Sequence, residues 1–429
     1  MIMETKFTIR ILTVIISITL LFLGCGNRDE RLGKSKSVQG NDKTLKKESK
    51  KLKKVIYYLE NSESMFGYVS GPNEYVSVVS ELSEKPEFVD QNIFREFHFI
   101  NGGLDIKDNL IGTNPSVLKS RLNKPGFRCG DVTKSNLNGM FQIALANAGG
   151  ENISILISDC IYDIGQPNAP FNALATEGKE TRSKFIQRLG RGNMQTIIIK
   201  LYSKFKGDYF CTSRNGKIPL DQQRPFYVLI FGESELLNKY FNESYISSLR
   251  GYCSLARFLK IDKSNIPYQA TNQNSKGTFS FDKANKNKLT DATKDRNGRG
   301  FQFSIAIDFS SLPFPDMYLK SKENYKITGN YSIVDIYQPI RKIHEVTSFN
   351  PTHMITVSTA SSPYGNLELT LKYVIPSWIS ETDSNTENNI DNDTTHTFGF
   401  KYLTDAITEA YKYKNQEQNI ATFKFEILK

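Results

Sequence analysis

The chain has 429 residues, 39% of them hydrophobic and 12% aromatic, enough to bury about two folded domains and too apolar for a chain disordered throughout. Its five cysteines are too few and too widely spaced for a disulfide framework or a zinc ribbon. The net charge of +10 does not imply nucleic-acid binding, because eleven Lys and Arg residues fall between positions 26 and 54 against four acids, which leaves the remainder close to neutral.

The first residues combine Lys6 and Arg10 with a predominantly apolar run over 11–23, followed by Gly24 and Cys25. Spanning a bilayer takes about 20 apolar residues, so this shorter run suits the core of a cleavable export signal at 1–24. Leu21-Phe22-Leu23-Gly24-Cys25 resembles the lipobox of bacterial lipoproteins. That resemblance implies cleavage before Cys25, a diacylglycerol on its thiol, and anchorage to a membrane of the bacterial cell envelope, either periplasmic or surface-facing. Residues 25–53 are Lys-rich and lack aromatic side chains, so they cannot offset the entropy of ordering and read as a disordered basic tether. Its lysines either lie against anionic headgroups or serve as a solvated spacer.

Beyond the tether, residues 55–59 form a continuous β-rich run, as expected of a strand buried on both faces, and 97–100 is a second strand. Met140, Phe141, Ala144, Leu145 and Ala148 recur at helical spacing over 138–148, closed by Gly149-Gly150. A strand at 153–157, a helix at 181–189 and strands at 196–201 and 226–231 follow. Strands alternating with helices predict crossover connections, hence a doubly wound, mostly parallel α/β domain over 54–245. Residues 246–299, polar and Asn-rich after 271, are expected to be a linker or loop-rich connection. Over 300–429, stretches at 301–309, 331–337, 354–358, 367–374 and 421–428, several alternating with period two, predict a β-rich, sandwich-like domain with one helix at 402–413. The acidic stretch 381–393 lacks the spacing of a calcium-binding EF-hand loop and reads as a solvated hairpin loop. His98, His344, His353 and His396 are scattered, which predicts structural roles.

Chemistry concentrates where strands end. The run 55–59 leads into Glu60, Ser62 and Ser64; the run 153–157 leads into Asp159; Thr133 and Ser135 precede the helix between them. Ligands of open α/β sheets collect at the carboxyl ends of strands, and carboxylates with hydroxyls suit a hard divalent cation. These three pieces, in this order, resemble the von Willebrand factor A domain and its metal-ion-dependent adhesion site. Ser62 and Ser64 match that family's two serines, Ser135 or Thr133 its threonine, and Asp159 its last aspartate; Glu60 stands where the family has aspartate. The resemblance implies Mg²⁺ or another divalent cation whose coordination is completed by a partner protein's carboxylate, hence a protein-binding or scaffolding module and no catalysis. The alternatives are a metal-dependent hydrolase or phosphoryl-transfer enzyme at the same edge, with Ser62 or Ser64 as nucleophile and Asp159 as metal ligand or base, and a metal-free structural envelope protein. No phosphate-binding loop, nucleophile elbow or H-E-x-x-H pair supports catalysis. Cys129 and Cys160 fall near this edge, either as a disulfide or, as we expect, as thiols; for Cys211 and Cys253 the sequence leaves the state open.

Overall fold

The computed structural model describes residues 50–429, apart from 102–110, 114, 166, 212–215, 261–265, 313 and 416–418. The expected export signal, Cys25 and the tether as far as residue 49 lie outside the described residues. Leu52, set among lysines, is already buried, and the Lys53 amide donates to the Glu151 carbonyl (2.8 Å). The last residues of the expected tether, Leu52 and Lys53, are therefore packed against the fold.

The first part runs β1 (Lys54–Glu60), α1 (Glu74–Val89), β2 (Phe94–Ile100), β3 (Ile111–Thr113), α2 (Pro115–Arg121), α3 (Lys124–Phe127), α4 (Leu137–Ala146), β4 (Asn152–Ser158), α5 (Pro170–Gly190), β5 (Gln195–Cys211), β6 (Gly216–Gly232), α6 (Ser234–Tyr240), α7 (Glu243–Ser248) and β7 (Tyr252–Leu259). Its strands make one seven-stranded sheet in the order β3-β2-β1-β4-β6-β5-β7. Leu59 is paired with Phe99 on one side and Ile157 on the other, both in parallel. Alternate β1 residues serve opposite layers: Val55, Tyr57 and Leu59 join the core that includes α1, while Ile56 and Tyr58 join the one beneath α4 and α5. The two-sided burial read from the sequence is thus realised, and each such side chain contributes roughly 1.5–3 kcal/mol.

The sheet is mixed, which corrects the mostly parallel expectation. Only β2, β1 and β4 are mutually parallel; β3, β6, β5 and β7 each pair antiparallel with a neighbour. No crossover helix separates 196–201 from 226–231, because both belong to one long hairpin whose arms are 17 residues each. The outer part of the first arm alternates Phe205, Tyr209 and Cys211, all buried, with Lys204, Lys206 and Phe210, all exposed. That period-two signal sits in a polar stretch and carries the ribbon past the ends of β1 and β4.

The ribbon rests on a short 3₁₀ helix, Glu63–Val69, that follows β1. Contact is close because two glycines face each other: a Cβ on Gly67 would lie 2.2 Å from the Phe205 ring, and one on Gly207 would lie 2.8 Å from the Gly67 Cα. Gly67→Ala is therefore expected to lower stability in urea by about 1–3 kcal/mol, the usual cost of overpacking, and to displace the ribbon. An unchanged denaturation midpoint would show that the ribbon does not pack here.

The second part contains β8 (Tyr268–Lys276), β9 (Thr278–Phe281), β10 (Lys288–Thr293), β11 (Phe301–Ile307), α8 (Asp316–Lys320), β12 (Tyr325–Ile327), β13 (Ser332–Tyr337), β14 (His353–Thr359), β15 (Gly365–Lys372), α9 (Trp378–Glu381), β16 (Asp383–Ser384), β17 (Thr397–Phe398), α10 (Phe400–Asn415) and β18 (Asn419–Ile427). Two sheets, β12-β15-β18-β10-β9 and β13-β14-β11-β8, enclose a core of Phe301, Phe303, Ile305, Leu367, Leu369 and Phe423 among others. The β-rich architecture follows the alternation seen in the sequence. The expected connection over 246–299 is corrected: it supplies β7 to the first sheet and β8, β9 and β10 to the sandwich, its polar residues occupying exposed faces of strands.

Two segments within 300–429 return to the first sheet. In α10, Phe400, Leu403, Ile407 and Tyr411 share a core with Leu174 and Phe185 of α5, and the Phe400 ring stacks on Tyr227 at 4.6 Å. Gly178 of α5 permits this approach, since a Cβ there would stand 3.0 Å from the Tyr402 carbonyl oxygen. The acidic stretch 381–393 is not a solvated hairpin loop. Ile390 is buried, Glu387 is 2% exposed and accepts from the Tyr209 hydroxyl (3.0 Å), and the Asp393 carbonyl accepts from Arg224 (2.6 Å).

Candidate functional site

Strands β1, β2 and β4 end together, so Glu60, Asn101 and Asp159 come to one edge of the sheet. Buried Asn61 organises it. Its side-chain amide donates to the carbonyls of Phe127 and Cys129 (2.8 and 2.9 Å), and its oxygen accepts from Asn101 (3.0 Å). This fixes the chain after α3 against the end of β1. The Glu63 amide donates to the Val132 carbonyl (2.8 Å), bringing the loop that carries Thr133 and Ser135 to the same place.

The Glu60 carboxylate is 1% exposed. One oxygen, Oε1, accepts from the hydroxyls of Ser62 (2.8 Å) and Ser135 (2.6 Å), while Oε2 is buried with no hydrogen-bond partner. The Ser62 and Ser64 hydroxyls lie 3.0 Å apart. Asp159, 6% exposed, accepts from the Ile161 amide (3.1 Å). Burial, and then the charge of Asp159, push the Glu60 carboxyl up to about 7 against the pull of the neighbouring Ser135, Ser158 and Ser62 hydroxyls. Burial likewise raises Asp159, opposed by the Ile161 amide, the Ser64 hydroxyl and the positive charge of Arg224.

Of the residues singled out from sequence, Glu60, Ser62, Ser64, Ser135 and Asp159 converge. Thr133 does not join the carboxylates: its hydroxyl donates to Asp131 (2.6 Å) in an exposed turn, so Ser135 is the hydroxyl that meets Glu60. Among the described residues no group of three or more His, Cys, Asp and Glu side chains is placed to hold a metal. A cation here would rest on two carboxylates and neighbouring hydroxyls, an all-oxygen donor set suited to Mg²⁺ or Mn²⁺ and unsuited to zinc. The orphaned Glu60 Oε2 fits such an ion, because a buried carboxylate oxygen without a partner is costly and a cation beside it would remove the cost.

The edge opens into a cavity of about 350 Å³ whose floor includes Ser62, Ser64, Ser135 and Asp159. Tyr68, Phe205, Tyr209 and Ile161 make its walls, and Lys134 and Lys217 stand at its lining, the latter paired with Glu63 (2.7 Å). Tyr68 is fixed by donating to the Pro225 carbonyl (2.5 Å), and Arg224 lies over the Tyr209 ring at 5.0 Å. Sequence reading missed Asn61, Asn101, Arg224 and this aromatic wall. Only the period-two run at 205–211 signalled any of it.

Cys129 and Cys160 are thiols, as are Cys211 and Cys253. The Cys129 sulfur accepts from Asn61 (3.3 Å), and Cys160 is buried at φ 58°, in the left-handed region, with its amide donating to Ser158 (2.8 Å). Strain in the residue after Asp159 marks how tightly this turn is determined. Among the described residues no helix is long and apolar enough to cross a membrane. No protein-family model matches the chain, and comparison with curated proteins finds no match.

Proposed function

We propose that this protein is a lipid-anchored component of a bacterial cell envelope, and that its first part is a von Willebrand factor A-like head that binds a protein partner through a divalent cation. The observation that carries the reading is the orphaned, buried Oε2 of Glu60 beside Asp159 at the end of the parallel strands. Glu60, Ser62, Ser64 and Asp159 would hold the cation, with Ser135 steadying Glu60. When bound, the ion supplies a Lewis-acidic position for a partner's carboxylate. The chain's own residues orient it: Asn61 and Asn101 hold the loops, and Tyr68, Phe205 and Tyr209 shape the cavity through which the partner's carboxylate would reach it. Among the described residues the Ser62 hydroxyl donates to Glu60 and lies against that of Ser64, an arrangement that holds the carboxylate.

Asp159→Ala tests this. The carboxylate sits at the sheet edge with few packing duties, so the variant should fold and yet bind Mn²⁺ at least about tenfold more weakly in a calorimetric titration of the full chain, a loss of one charged ligand. Equal Mn²⁺ affinity in the two proteins would remove Asp159 from the cation site.

A further inference from the structure

A second cavity, of about 340 Å³, lies where the edge strand β7 meets α8 and the end of β15, away from the Glu60 edge. Its walls are aromatic and already fixed in place. Tyr318 stacks on Phe314 (4.7 Å), and its hydroxyl donates to the Lys372 carbonyl (2.6 Å). Tyr373 donates to the carbonyl of Arg257 (2.6 Å) and Trp378 to that of Leu255 (3.0 Å), so both rings are tied to the outer backbone of β7. These bonds consume the polar ends of the rings and leave their faces to the cavity. Met317, 73% exposed, stands at the rim.

Two opposite charges also line this cavity without pairing. Arg257 is 8% exposed; Nη2 makes one long bond to the Phe241 carbonyl (3.3 Å), while Nε and Nη1 are buried with no partner. Glu243, half-buried on α7, is the charge that acts most strongly on Arg257, yet no ion pair joins them among the described residues. Burial pulls the guanidinium down to about 10 and raises the Glu243 carboxyl, so each is short of the solvation its charge requires. Unsatisfied buried donors of this kind are rare in a settled core, and a guanidinium that turns toward an anion in the cavity would be relieved of that cost.

We infer that this cavity binds a free α-amino acid with a large apolar side chain, its carboxylate taken by Arg257, its ammonium by Glu243, and its side chain held among Tyr318, Tyr373 and Trp378. The volume falls at the lower end of small-ligand pockets, and two opposite charges that do not pair with each other favour a zwitterion over a simple anion, for which Glu243 would be repulsive. The site is independent of the cation reading.

Trp378 is the protein's only tryptophan and lines the cavity, so its fluorescence reports occupancy directly. The full chain in nonionic detergent should show a saturable change with phenylalanine. Phenethylamine, which lacks the carboxylate, and 3-phenylpropionate, which lacks the ammonium, should each bind at least about tenfold more weakly, because a site built around a charge leaves it unpaired when the ligand lacks the partner. Arg257→Gln should erase the preference for phenylalanine over phenethylamine, and Glu243→Gln the preference over 3-phenylpropionate. Equal binding of phenylalanine and 3-phenylpropionate, or no response to phenylalanine at about millimolar concentration, would overturn the assignment. So would variants that keep both preferences, and the comparison of the three ligands on the unaltered chain stands even if Arg257→Gln fails to fold.

Discussion

Glu60→Gln is expected to stabilise the chelator-treated protein at about pH 8 and to flatten its dependence on pH. The Glu60 carboxyl titrates at about 7 in the fold against an ordinary 4.5, so the folded state holds the proton more tightly than the unfolded one. A raised acid contributes stability that is fully present below the unfolded value and is lost as pH rises from 4.5 through about 7. At about 1.4 kcal/mol per unit, the loss is on the order of 3 kcal/mol, or several degrees of melting temperature. Glutamine removes the titration, keeps the shape and offers an amide donor toward Asp159. The same change should abolish stabilisation of the protein by Mg²⁺, which the unaltered protein should show most strongly above about pH 7, where the carboxylate is charged. Thermal melts in chelator and in Mg²⁺ across this range check both halves. A gain of Glu60→Gln over the unaltered protein in chelator that does not grow between acid and neutral pH would contradict the placement of Glu60.

Cys25→Ser is expected to abolish lipid attachment and release the protein from the membrane fraction. The effect is all or none, because thioether formation to diacylglycerol needs a thiol and a serine hydroxyl does not replace it. The expectation rests on the short apolar run ending at Leu23-Gly24-Cys25, too brief to span a bilayer unaided. The Lys-rich segment that follows adds only about 1 kcal/mol per charge near an anionic surface, an attraction that salt should screen. Metabolic labelling with a radioactive fatty acid, followed by fractionation in high salt, decides it. Continued labelling of the serine variant would reject the lipobox reading.

How far the sequence foretold the molecule depended on whether a signal was local. Residues 55–59 and 153–157 were legible as doubly buried strands because their apolar runs are continuous, and both lie centrally in the first sheet. The carboxyl-edge cluster was legible for the same reason, since strand ends place Glu60 and Asp159 whatever the rest of the topology does. The hairpin of β5 and β6 was not, because its outer arm mixes Lys204 and Lys206 with Phe205 and Tyr209, and a polar average hides a two-residue period. Strands β8 to β10 were hidden in the same way among Asn, Lys and Thr. The return of α10 and of 381–393 to the first sheet is a long-range matter: nothing near Phe400 in sequence says that it will stack on Tyr227, nor near Glu387 that Tyr209 will cover it. Ser135 could be separated from Thr133 only once distances were known.

The most direct test of the cation site is diffraction from crystals of the protein grown in Mn²⁺, with the metal located by its anomalous scattering. We expect a peak among Glu60, Ser62, Ser64 and Asp159, with Glu60 Oε2 turned toward the ion and one coordination position open to the cavity. A clean map with no manganese there at about millimolar concentration, and Glu60 Oε2 sharing a proton with Asp159 instead, would contradict the account.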